Sequence, residues 1–185
     1  RWYDEFHELN PVFATFNGIH DYDDQFPNTL APEFRERFEA FERRYLEAIE
    51  AIDPEGLGQQ DRISWEIFRR DRVETLEGMR FPDHLMPVNQ LFSVPIFFVQ
   101  MGSPSGITPF NTAEDYENFL SRIDGFAVWM DQAVLNMREG IERGVVLPRV
   151  IVDKTLPVLA SQVVDSAEAS GFYASVREFP ETVDD

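Results

Sequence analysis

The stretch PEFRERFEAFERRYLEAIEAI, residues 32–52, decides the fold class. Its apolar residues Phe34, Phe38, Phe41, Tyr45, Ile49 and Ile52 recur every three or four positions, which draws one stripe along an α-helix. Pro32 stands in the first helical turn, where a missing N–H costs nothing, and Asp53 with Pro54 ends the run. On the opposite side Arg35, Glu39, Arg43 and Glu47 follow at intervals of four. Such pairs are worth only about 0.2–0.5 kcal/mol each, so this side reads as a solvated face.

The flanking sequence repeats the pattern. A second helix is expected from about Gln60 to Gly78, with Ile63, Ile67 or Phe68, and Leu76 inward, and with Arg69, Arg70 and Arg72 on a solvated face. A third begins at Thr112, whose hydroxyl is placed to accept from the Asp115 N–H, while Glu114 and Asp115 put negative charge at the positive end of the helix dipole. Tyr116, Phe119, Leu120, Ile123, Ala127, Met130, Val134, Met137 and Ile141 then keep helical spacing as far as Gly144, the expected stop, with Gly125 a candidate bend. Pro148 opens a fourth segment, expected to break at Pro157 and resume to about Ala169. Arg1 to Leu9 and Pro11 to Phe16 read as short helices, with Asn10 as a cap and Gly18 as a stop.

No strand alternation persists, since the β-branched run Val145 to Val152 is broken by Pro148. The expected fold is all-α, a multi-helix array without a fixed repeat. Two stretches fall outside helix packing: GIHDYDD at 18–24, and a connector over 81–111 rich in Pro, Gly and large apolar residues. Connectors of that length often shape a pocket.

The 185 residues suffice for one domain with a real core, and 43% hydrophobic with 27% charged is the balance of a folded chain. Thirty-four acidic against 16 basic side chains leave a net charge of −18, spread over both halves. That potential excludes nucleic acid as a partner and disfavours adhesion to anionic membranes. The absence of Cys excludes disulfides, thiolate metal sites and a cysteine nucleophile. The longest apolar stretch, Leu91 to Met101, is too short to span a bilayer and contains Pro95, so no membrane insertion by these residues is expected. A first residue Arg1 in a charged, aromatic stretch reads as a processed or trimmed start.

The chemistry-bearing residues form no complete active site. His7, His20 and His84 are the only histidines, and none belongs to a His-Glu-x-x-His pair that would put two imidazoles on one helical face. No catalytic or metal-binding residue is therefore assigned. His20, Asp21, Asp23 and Asp24 either cap turns or meet a ligand or metal, without the spaced oxygens and closing Glu of a calcium loop. Gly102 to Gly106 has no following Lys to make a phosphate loop. Asn89 and Gln90 are polar groups in an apolar setting, able to hydrogen-bond a peptide backbone or to tie down the connector. His20, Asp21, Asp23, Asn89 and Gln90 are the candidate substrate-lining residues. Trp65, Trp129 and most Phe lie on helical stripes and are expected in the core.

Three blocks in order, PVFATFNGIHDYDD at 11–24, FNTAEDYENFLSRI at 110–123 and MREGIERGVVLPR at 137–149, resemble the N-terminal part of the bacterial family called domain of unknown function 885. The resemblance runs from about Arg1 to Pro180. It implies an all-helical, zinc-metallopeptidase-like protein, often exported or a lipoprotein, so a periplasmic or cell-envelope location is expected, with the cytoplasm left open by the residues themselves. The family's His-Glu-x-x-His helix and further Glu ligand lie in a C-terminal half, and this sequence stops at Asp185 before that half. No zinc or catalytic residue carries over.

The expectation is accordingly that residues 1–185 are one helical domain, or the N-terminal part of a larger catalytic domain, that walls a substrate cleft. Zinc and a peptide substrate would belong to the full-length parent, this chain alone would be inactive, and exposed apolar faces would allow self-association. The alternative is a self-sufficient helical binding or structural module of the cell envelope, with 81–111 as its recognition surface.

Overall fold

Helices α1 (Trp2–Leu9) and α2 (Pro11–Phe16) are followed by α3 (Pro32–Glu50), α4 (Gln59–Gly78), α5 (Val94–Met101), α6 (Ala113–Arg143) and α7 (Arg149–Ala160). The structure is a computed structural model that describes residues 1–91, 93–103, 105–177, 179–181 and 183. Short 3-10 turns at Pro54–Gly56, Asp83–Leu85, Ala167–Ala169 and Gly171–Val176 complete the elements, and no strand occurs among the described residues. The fold is all-α, a multi-helix array. The connector at 81–111 is not helix-free, for α5 lies inside it; Phe92 and Pro104 of that connector lie outside the described residues.

Two compact units divide the chain, one of Trp2 and residues 31–83, the other of Arg1, residues 3–30 and the described residues from His84 on. The smaller unit is the α3–α4 hairpin. Its α3 stripe faces inward as expected from Phe34 to Ile49, with Phe41 buried and Phe34, Phe38, Tyr45 and Ile49 half-buried, whereas Ile52, expected to continue it, lies past the helix end and is exposed. The inward face of α4 agrees with the expectation at Phe68 and Leu76, both half-buried, and departs from it at Ile63, Ile67 and Arg72. Ile63 and Ile67 are exposed, whereas Trp65 and Phe68 are half-buried and Arg72 is only 4% exposed. The Trp65 indole N–H donates to the Ile49 carbonyl at 2.8 Å, tying α4 to the end of α3.

Arg72 is thus not on a solvated face. Its guanidinium contacts the buried Glu42 carboxylate and stacks 4.3 Å from the Trp2 ring centroid and 4.6 Å from that of Phe68. A planar, weakly hydrated cation tolerates this aromatic enclosure where an ammonium would not. Burial raises the Glu42 pKa above the ordinary carboxylate value and Asp71 adds to that, outweighing the opposing pull of Arg72.

In the larger unit α6 starts at a capping box. Asp115 N–H donates to the Thr112 hydroxyl at 3.3 Å, and Thr112 N–H donates to the Asp115 carboxylate at 2.9 Å. It ends at Gly144, whose φ of 71° is the left-handed conformation that glycine adopts without strain. Gly125 does not break it. A Cβ there would lie 2.6 Å from the Phe26 carbonyl oxygen, so this glycine admits a close approach of backbone.

On α6 the expected Phe119 is buried and Tyr116, Ile123, Met130 and Met137 are half-buried, but Arg122, Ala133, Asn136 and Gly140 are buried as well, and Leu120, Ala127, Val134 and Ile141 are exposed. Helix α7 continues through Pro157 to Ala160 instead of breaking there, and the region expected to resume to Ala169 holds only the 3-10 turn at Ala167–Ala169. Phe98 is fully buried at the centre of an aromatic core, stacked on Phe126 at 4.3 Å and edge-on to Phe26 at 5.0 Å.

Removing one member of the buried Arg72–Glu42 pair is expected to cost about 3–5 kcal/mol in urea unfolding of Arg72→Ala, because it strands a charge. The double variant Arg72→Met with Glu42→Leu is expected to recover most of that loss. Because the folded-state pKa of Glu42 is raised, its contribution is complete below the ordinary carboxylate pKa and declines as pH rises through the folded value. The stability of the native chain relative to Glu42→Gln is therefore expected to fall as pH rises across that window, measured by urea unfolding at a series of pH values.

Candidate functional site

Residues 22–30 join α2 to the next helix without regular structure, so their backbone carbonyls need donors from elsewhere. Helix α6 donates to this segment from three positions seven residues apart, two of them to carbonyls. Arg122 Nε donates to the Gln25 carbonyl at 3.2 Å and Nη2 to that of Tyr22 at 3.1 Å. Trp129 Nε1 donates to the Thr29 hydroxyl at 3.0 Å, and Asn136 Nδ2 to the Leu30 carbonyl at 3.3 Å. Two helical turns separate these side chains, so all three stand on one face.

Arg122 is the centre of this arrangement and is wholly buried. Its Nη2 also donates to the Thr15 hydroxyl at 2.6 Å and to Asp23 Oδ1 at 3.1 Å, and lies 3.4 Å from the Pro11 carbonyl. The Thr15 hydroxyl donates to the same Asp23 oxygen. Burial pushes the Arg122 pKa down, while Asp23 and Asp24 pull it back up. One guanidinium thereby holds α2, the 22–25 turn and α6 together.

Beside this lock lies an open apolar groove of about 430 Å³. One wall is α2, through Val12, Phe13 and Phe16; a second is the 26–29 segment; α5 contributes Val94 and Phe97, and Trp129 lines it from α6. Phe13, Phe16 and Phe97 are 48%, 65% and 42% exposed, which is high for aromatic side chains. The lining contains no titratable side chain, so the groove is suited to holding an apolar group and not to acid–base chemistry. A second apolar groove, about 440 Å³, lies between α6 and the 3-10 segment Gly171–Val176, where Tyr116 donates to the Ser175 carbonyl at 3.2 Å.

The candidate residues read from the sequence are distributed as follows. Asp23 is buried inside the Arg122 lock, and its second oxygen accepts from His20 Nδ1 at 2.7 Å. His20 and Asp21 are exposed. Asn89 and Gln90 are half-buried on the connector, with the Asn89 side-chain oxygen accepting from the Leu91 N–H at 2.8 Å. His20 and Asp23 are thus brought together, and none of the five residues lines the apolar groove.

The zinc implied by the family resemblance finds no fitting donor set here. Asp23 is committed to Arg122, Thr15 and His20, and His7 is buried between the Tyr3 carbonyl at 2.6 Å and Asn17 Nδ2 at 2.9 Å. Among the described residues no three His, Asp or Glu side chains converge in a way that would hold a metal ion. Sequence reasoning missed Arg122, Thr15 and Trp129 as positioning residues. The seven-residue spacing of Arg122, Trp129 and Asn136 within an apolar helix was the available signal.

Arg122→Met is expected to cost about 3–5 kcal/mol in urea unfolding, because Asp23 is left charged and buried. Arg122→Lys is expected to rescue little, since one ammonium cannot reach acceptors on α2 and on both Tyr22 and Gln25. Trp129→Phe, which removes the bond to Thr29 and part of a buried ring, is expected to cost about 1–3 kcal/mol in urea unfolding.

No curated protein and no solved structure matches the chain. Residues 11–185 match the family described as "Bacterial protein of unknown function (DUF885)", and the chain belongs to that family.

Proposed function

We propose that residues 1–185 build the helical wall of a peptide-binding cleft in a zinc-peptidase-like protein of the cell envelope. The single observation that carries this reading is the apolar groove. It is rimmed by exposed phenylalanines, free of titratable groups, and backed by a buried charged lock that keeps its walls in place. In this reading the zinc and its ligands belong to residues outside 1–185, and the chain contributes binding and orientation only. Its own residues position apolar side chains of a substrate and exclude water from them.

A second reading, a self-sufficient helical binding or structural module, is favoured by one observation: the groove is completed wholly by described residues of one unit. The cleft-wall reading uses the exposed apolar residues of α6, such as Leu120, Leu135 and Ile141, as the surface that meets further protein.

Elemental analysis after exhaustive dialysis against a chelator is expected to find no stoichiometric zinc; one tightly held zinc per 185-residue chain would overturn the placement of the metal elsewhere. Light scattering and hydrophobic-dye binding are expected to show self-association or dye uptake. A monodisperse monomer without dye binding would favour the self-sufficient module instead.

A further inference from the structure

The outward face of α6 repeats every seven residues, as its inward face does. Leu120, Ala127, Val134 and Ile141 follow at that interval and are all exposed, and so are Val128 and Leu135 beside them. Between these two aliphatic rows runs a row of charge, Asp124, Asp131 and Arg138, also exposed. Side chains three and four positions apart are neighbours on a helix, so the four that surround the Asp131 carboxylate are Ala127, Val128, Val134 and Leu135, every one of them aliphatic. Arg138 is bordered by Val134, Leu135, Ile141 and Glu142. Among the described residues neither Asp131 nor Arg138 forms an ion pair, and seven positions set them about 10 Å apart along the helix, too far to pair with each other.

We propose that a second copy of this chain docks on this face, α6 against α6 and antiparallel, about a two-fold axis that passes between Val134 and Leu135. In that register Asp131 meets Arg138 of the second copy and Arg138 meets its Asp131, while Val134 packs on Leu135 and Val128 on Ile141, each contact made twice. Self-complementarity of charge is what selects this occupant. Aliphatic contact around Asp131 strips water from its carboxylate, so a cation must arrive with it, and the exposed Arg138 stands at the one position where the two-fold delivers it. A parallel pairing in register sets each charge against its own kind, and an antiparallel pairing slid by seven residues brings the two Asp131 carboxylates together. The inference rests on the cleft-wall reading only in treating the outer face of α6 as a contact surface, and it names the protein that covers Leu135 and Ile141. It leaves the groove free, because Trp129, which lines the groove, points about 200° around the helix from Asp131.

The test is sedimentation velocity of the 185-residue chain from about 5 to 500 µM at about 0.15 M salt, where the mutual repulsion of two acidic chains is screened. A contact of about four helical turns is small for a protein interface, and a monomer–dimer equilibrium with Kd of about 10–100 µM is expected. Asp131→Arg and Arg138→Asp, both at exposed positions that the fold tolerates, each place like charges at the two ion-pair contacts, and each alone is expected to weaken the dimer at least about tenfold. An equimolar mixture of the Asp131→Arg chain with the Arg138→Asp chain pairs opposite charges at both contacts, and is expected to restore dimerisation as a one-to-one heterodimer. Dimerisation that ignores both single substitutions, or a mixture that stays monomeric, would overturn the inference. A native chain that is monomeric throughout but takes up hydrophobic dye would overturn it and leave the cleft-wall reading intact; a monomer without dye uptake would overturn both.

Discussion

The structure depends on a demand made by backbone: nine residues, 22–30, lie without regular secondary structure, with carbonyls that require donors. Helix α6 meets the demand with Arg122 and Asn136, and Trp129, midway at the same spacing of seven, holds the Thr29 hydroxyl. Gly125, between the first two, leaves room for the Phe26 carbonyl to come against the helix. The remaining features of the larger unit follow from this clamp. It orients Trp129 and Phe26 toward the groove, and through Thr15 and Pro11 it fixes the slope of α2, whose phenylalanines form the rim.

Both units use the same device, a buried arginine paired with a buried carboxylate. Such pairs are poor net stabilisers, because desolvating two charges offsets most of their attraction. Their effect is asymmetric. An alternative packing that separates Arg122 from Asp23, or Arg72 from Glu42, strands an ion in an apolar interior, so the pair penalises wrong registers more than it favours the right one. Aromatic stacking of Arg72 on Trp2 and Phe68 lowers the cost of burial in one case, and a fan of oxygen acceptors around Arg122 lowers it in the other.

The chain's −18 charge lies away from the lining of the groove. Most carboxylates sit on solvated helix faces, as the ion pairs of Arg43 with Glu39 and Arg70 with Glu74 illustrate, and contribute solubility. The lining of the groove itself carries no charged side chain.

Periodicity and capping chemistry were legible in the residues themselves. The α3 stripe, the Thr112 capping box and the Gly144 stop rest on local rules, spacing of apolar groups, side chain to backbone bonds within four residues, and tolerance of positive φ. The family could be read the same way, from three ordered blocks of sequence. The full buried faces of α4 and α6 were not legible, because apolar residues alone marked their stripes, while the buried faces include Arg122, Asn136 and Arg72. A polar side chain goes inward only if partners distant in sequence await it, and Asp23, ninety-nine residues from Arg122, is such a partner. The same holds for the groove. Its walls come from four segments spread between Asn10 and Trp129, none of them distinctive alone, and only the tertiary structure, through the α6 clamp, decides that they meet.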